Sequence, residues 1–175
     1  MYIIGGIGMV ILLLALIVLY RTIRLKPTSA QTATVRLDET ERAENYGKML
    51  AKLIQVETVS ARGQTDFTKF YNFHEKLETM FPLVHKHCEK HEFEGSLLFR
   101  WKGNGDHEPI LLMSHHDVVE AGQDWEHPPF SGHIDEKGRV WGRGTVDTKG
   151  SLFCIMMAVE EMIRDGFQPK CDVYL

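Results

Sequence analysis

His115 and Asp117 stand two residues apart at the end of the apolar run LLMSHH, and Asp147 follows the glycine-rich stretch WGRGT further along the chain. Imidazole and carboxylate are the donors that zinc takes besides thiolate, so these three side chains suit a divalent-metal site. In a strand, alternate residues point the same way. His115 and Asp117 then share a face, and His116 points to the other. A carboxylate beside a histidine can accept its second ring N–H, which fixes the tautomer and strengthens the ring as a ligand. The bland alternative for His115 and Asp117 is a hydrogen-bonded structural pair. Asp147 has its own alternative, because aspartate is a common N-cap and a helix pattern begins just after it. Capping alone does not call for the preceding Gly-Arg-Gly turn, whose glycines permit a tight backbone approach.

The elements that must carry these residues follow from periodicity. From Asp38, a capping aspartate and an acidic first turn precede Tyr46, Met49, Leu50, Leu53 and Ile54 at helical spacing. Residues 57–65 read as a loop. Thr65 or Asp66 caps a second helix whose buried stripe is Phe67, Phe70, Phe73, Leu77 and Phe81, with Pro82 as its stop. Residues 83–95 show no clear pattern, whereas SLLFRWKG between Gly95 and Gly103 reads as a strand. PILLMSHH is a continuous apolar run of the kind found in central strands buried on both faces. Its carboxyl end is where open α/β sheets bind ligands. GHIDEKGRVWG predicts a hairpin around Glu136–Gly138. A strongly apolar helix follows, with Leu152, Ile155, Met156, Val159 and Met162 facing inward and Gly166 as its C-terminal stop. KCDVYL reads as a further buried strand, which stops at Leu175 in mid-element and so predicts a polypeptide cut short. A helix crossing between two such strands is a βαβ-type unit, so the expected fold is an α/β sandwich with a mixed, largely parallel central sheet flanked by helices.

Composition bounds the function. The 175 residues suffice for one domain, with 43% hydrophobic and 25% charged residues. A net charge of −4 without a basic run excludes nucleic acid as the expected partner. Cys88, Cys154 and Cys171 are odd in number, lack CxxC spacing and read as buried free thiols. Tyr2 to Tyr20 is an uncharged apolar run, about 28 Å long as a helix, which matches a bilayer's hydrocarbon core. Arg21, Arg24 and Lys26 follow it in place of a small-residue cleavage site, which favours an anchor over a cleaved signal. Residues 1–20 are therefore expected to be a single transmembrane helix, 21–37 a linker, and 38–175 the domain. The basic residues after the span place the domain in the cytoplasm by the positive-inside rule.

Three blocks, LLMSHHDVV, WEHPPFSG and GRVWGRGTVDTKGSL, together resemble the di-zinc metallopeptidase and amidohydrolase family of aminoacylase, carnosinase, acetylornithine deacetylase and carboxypeptidase G. The resemblance covers roughly residues 38–175, the N-terminal part of that zinc-exopeptidase fold. It implies that His115 ligates one zinc, that Asp117 orients His115 as part of the catalytic machinery, and that Asp147 bridges two zincs. It implies an amide bond of a peptide or N-acyl amino acid as the target, and a homodimer in the complete protein. Where the family has glycine before its histidine, this chain has Ser114. His116 occupies the variable position of the motif. The family's general-base glutamate and its other ligands come later than Leu175, so these residues alone are expected to be inactive. The competing reading is a non-enzymatic, membrane-anchored binding or dimerisation module retaining half of the fold. Anchored or secreted relatives often work outside the cytoplasm, opposite to the side that charge favours.

Overall fold

A computed structural model describes residues 2–24 and 40–175. They belong to two units, residues 1–39 and 40–175. The expected linker from residue 25 onward and the capping Asp38 lie outside the described residues. In the first unit, α1 (Tyr2–Arg24) is one helix. Its Gly5–Arg24 portion, with mean hydropathy 2.3, is long and apolar enough to cross a membrane.

The second unit opens with α2 (Thr40–Ile54). Its inward stripe deepens toward the C-terminus, where Leu53 and Ile54 lose all solvent contact while Tyr46, Met49 and Leu50 stay half-buried. After the loop, Asp66 Oδ1 accepts the Thr68 N–H at 2.9 Å at the start of α3 (Thr68–Met80). Hydrogen bonding from the Thr68 side chain, and after it from this N–H, holds the Asp66 carboxyl below the usual carboxylate range. Phe70, Phe73, Leu77 and Phe81 are buried as their spacing requires.

Pro82 does more than stop α3. It stands at the first position of a short helix, α4 (Pro82–His87), where a missing N–H costs nothing. The next two N–H groups, of Leu83 and Val84, donate to the Glu160 carboxylate at 3.1 and 2.9 Å. Glu160 is only 3% exposed, and a buried carboxylate is tolerated there because a helix N-terminus meets it with donors and partial positive charge.

β1 (Glu89–Phe93) and β2 (Ser96–Trp101) form a hairpin across Glu94 and Gly95, both at positive φ. Sequence periodicity missed α4 and β1, since all five β1 residues are exposed and carry no apolar alternation. β3 (His107–Leu111) leads, through the hairpin of β4 (His133–Ile134) and β5 (Val140–Trp141), to α5 (Gly150–Arg164) and β6 (Cys171–Tyr174). The main sheet has the order β1-β2-β6-β3. β6 runs parallel to β3, with α5 in the crossover, but antiparallel to β2. The sheet is mixed, as expected. It is not largely parallel among the described residues, because the β1–β2 hairpin feeds an antiparallel pair onto β6.

Three expectations need correction. The strand in PILLMSHH ends at Leu111, has a ladder partner only on the β6 side, and is exposed throughout rather than buried on both faces. α5 buries Phe153, Met156, Met157, Val159 and Glu160, whereas Leu152, Ile155 and Met162 are half-buried. Its inward face is rotated because α4 and α2 pack along it, Phe153 lying edge-on to Tyr46 and tilted against Phe81. Finally, Cys154 is exposed on α5. Cys88 is buried, and burial pushes its thiol up to about 11.

Glu160→Ala leaves two helix-end N–H groups without partners and opens a hole beside α4. It is expected to cost about 2–4 kcal/mol, read as a lower urea midpoint. An unchanged midpoint would show that water replaces the carboxylate without loss.

Candidate metal centre

His115 and Asp117 lie in the extended segment just beyond β3, not in the strand itself. That segment is held from two sides. Leu112 N donates to Tyr174 O at 2.8 Å, continuing the ladder with β6. Further on, Val118 N donates to Thr58 O and Ser60 N donates to Val118 O, each at 2.9 Å, around a parallel bridge between Val59 and Val118. The Thr58 hydroxyl also donates to His116 O. The loop after α2 therefore acts as a strap across residues 116–118.

Asp147 arrives from a different element end. The turn before it needs both glycines: a Cβ on Gly142 would stand 2.3 Å from Ile54, and one on Gly144, at φ +89°, would stand 2.7 Å from Val118. Residues 145–149 are kinked, with Asp147 in extended backbone and a cis peptide to Thr148. α5 starts at Gly150 without a side-chain cap, so Asp147 is not serving as its N-cap. Its carboxylate is exposed.

Thr148 joins the two arms. Its hydroxyl donates to His115 O at 2.9 Å and accepts the His115 N–H at 3.2 Å. The Ser114 hydroxyl donates to Thr148 O at 3.0 Å, so the serine found where the resembling family has glycine has a partner here.

The three expected residues come together. His115 Nδ1 lies 3.1 Å from Asp117 Oδ1 and 2.9 Å from Asp117 O, and Nε2 lies 3.0 Å from Asp147 Oδ1. Partial burial opposes charge on this ring, but bonds to the Asp117 carbonyl and the Asp147 carboxylate, and the charge of both aspartates, raise its pKa overall. Each ring nitrogen thus faces an oxygen acceptor, Nδ1 that of Asp117 and Nε2 that of Asp147. Two donors on a tetrahedral zinc, each ~2.0–2.2 Å from the ion, stand roughly 3.3 Å apart. The observed separation and the donor types suit a shared ion. Among the described residues, no group of three or more His, Cys, Asp or Glu is placed to hold a metal.

His116 turns the other way, as alternation predicts. Its ring stacks on Phe73 with centroids 5.1 Å apart, and Nε2 meets Gly95 O at 3.0 Å. Burial, with His74 5.2 Å away, pushes its pKa down to about 4. The segment WEHPPFSG packs locally: Trp125 donates to Ala121 O beneath Arg143, and His127 lies against His133 and Trp141. His85 is half-buried edge-on to Phe99.

Sequence reasoning missed Lys149. It is wholly buried, with Nζ donating to Leu53 O and Val56 O at 3.2 and 2.6 Å, above the Phe73 ring. Burial pushes its pKa down to about 8. A lysine beside a glycine turn gives no sequence signal of such a position.

An α/β unit thus holds a histidine between two carboxylates just beyond a strand end. Residues 111–175 match the peptidase family M20/M25/M40. It is 41% identical, over 71% of its own length, to 25% of the Dictyostelium discoideum protein named probable carboxypeptidase S-like 2. It is 31% identical, over 98% of its length, to 36% of N-fatty-acyl-amino acid synthase/hydrolase PM20D1 of Xenopus tropicalis. The crystal structure of human carnosine dipeptidase 1 superimposes with a TM-score of 0.59 at 14% identity, covering 77% of this chain and 31% of that one, a likeness of fold. The chain spans about a quarter to a third of these proteins.

Thr148→Val removes both hydroxyl contacts to the His115 backbone. The His115 amide should then exchange with deuterium about tenfold faster or more, while amides in mid-α5 stay unchanged. Equal rates would mean that the two arms hold position independently.

Proposed function

We propose that this chain supplies the first half of the metal site of a zinc-dependent peptidase or amidohydrolase that cleaves an amide bond in a peptide or N-acyl amino acid. The observation that carries this is the single arrangement at His115: Nδ1 bound to Asp117, and Nε2 facing Asp147 Oδ1 at 3.0 Å. The names of the relatives support it, since they describe carboxypeptidase-like and N-acyl-amino-acid-hydrolysing proteins.

His115 and Asp147 would hold the ion, and a zinc there supplies a Lewis acid that makes bound water nucleophilic near neutral pH. Asp117 keeps the Nδ1 proton and so leaves Nε2 free to ligate. Asp147 turns one oxygen to His115 and leaves the second for another ion, in line with a two-zinc centre. The remaining donors and the general base come from outside the described residues, so turnover requires the complete protein. α1, with Arg21 and Arg24 in its last turn, anchors the protein in a membrane.

In the full-length protein, His115→Ala and Asp147→Ala should each strip metal and abolish amide hydrolysis. His116→Phe, which keeps the stack on Phe73, should retain metal. Asp117→Asn should lower metal affinity or turnover by about 10–100-fold. Metal analysis beside hydrolysis rates checks all four variants. Full metal content in Asp147→Ala would overturn the ligand assignment, and a metal-loaded protein that hydrolyses neither substrate class would favour a binding module. For the anchor, the mature polypeptide should retain residues 1–20 and resist alkaline extraction from membranes. A mature N-terminus beyond α1 would identify a cleaved signal instead.

A further inference from the structure

Asp117 has two oxygens, and the geometry accounts for both. Oδ1 stands 3.1 Å from His115 Nδ1, which also meets the Asp117 carbonyl at 2.9 Å, while Oδ2 accepts a hydrogen bond from the Ser60 hydroxyl at 2.8 Å. Ser60 belongs to the strap after α2, not to either arm that carries the metal-type residues. Its own backbone is fixed there, because Ser60 N donates to Val118 O at 2.9 Å beside the Val59–Val118 bridge. The hydroxyl is thus presented to the carboxylate from a rigid position.

A carboxylate hydrogen-bonded at one oxygen only is free to turn about its Cβ–Cγ bond and exchange the oxygen it offers to the ring. A second donor, anchored independently, removes that freedom. We propose that Ser60 is a positioning residue, the outermost link of a Ser60–Asp117–His115 chain that holds the Asp117 carboxylate against His115 Nδ1, adding to the hold of the Asp117 carbonyl and favouring the Nδ1–H tautomer with Nε2 free to ligate. It acts through Asp117 and touches no reacting atom. This rests on the metal reading of His115 for its consequence, but not for the tautomer itself. Second partners of this kind typically change metal affinity by about 10–100-fold when lost.

The pair Ser60→Thr and Ser60→Val isolates the hydroxyl, since the two side chains are nearly equal in size and both keep the backbone N–H that Val118 uses. The first readout is the nitrogen chemical shifts of the His115 ring in the metal-free full-length protein, at a pH where the ring is neutral. Ser60→Thr should keep a single Nδ1–H tautomer, whereas Ser60→Val should show a mixture with Nε2–H. The stack of His116 on Phe73, read from ring-current shifts, should be the same in both. The second readout is zinc affinity by chelator competition. It should fall about tenfold or more in Ser60→Val, with kcat reduced and KM little changed, and return in Ser60→Thr. An unaltered tautomer in Ser60→Val would overturn the proposal, even if His115→Ala still loses metal. A shifted tautomer with unchanged zinc affinity would uphold the positioning of His115 and count instead against His115 as a ligand.

Discussion

A lysine ammonium with no access to solvent ties the second unit together. Lys149 follows the kinked segment that presents Asp147, and its Nζ reaches the carbonyls of Leu53 and Val56 at the end of α2. Burying an ammonium costs several kcal/mol unless its protons are satisfied. Here the satisfying groups are carbonyls at and just beyond the last turn of α2, where a positive charge also suits the helix dipole. The Phe73 ring below adds a cation–π contact. One side chain thereby fixes α2, α3 and the start of α5 against each other, so the position of Asp147 depends on the core.

The site divides labour between two arms and a strap. The segment beyond β3 carries His115 and Asp117, held by β6 on one side and by residues 58–60 on the other. The kinked turn carries Asp147, and Thr148 links it to the His115 backbone. Because neighbouring side chains alternate, the same extended backbone that aims His115 at Asp147 drives His116 into an aromatic pocket of Phe70, Phe73 and His74. Adjacent histidines thus take opposite pKa shifts, one raised by the Asp117 carbonyl and the two carboxylates against its burial, and one lowered by burial.

Much of the frame was legible in the residues. α2, α3, β2, the β4–β5 hairpin, α5 and β6 each announce themselves by apolar spacing and by turn or stop residues. What stayed hidden has physical causes. β1 is an exposed edge strand of alternating charge, so it has no apolar face to read. α4 depends on a carboxylate 76 or 77 residues away for its first N–H bonds. The rotated inward face of α5 follows from that unseen helix. β3 looks like a buried strand because its side chains are apolar, yet burial is decided by what packs on them.

From sequence alone come the identity of the three metal-type side chains and their split between two element ends, because donor chemistry and strand alternation are local properties. The resemblance in LLMSHHDVV and GRVWGRGTVDTKGSL adds the family. Only the tertiary structure decided that Asp117 meets Nδ1, that Nε2 meets Asp147, and that Thr148, Lys149 and Ser60 hold them there. Apart from the Asp117–His115 contact, which spans two positions, those contacts join residues more than thirty positions apart or rest on the burial of a charge. Neither is encoded in local periodicity, and both exist only once the core has closed.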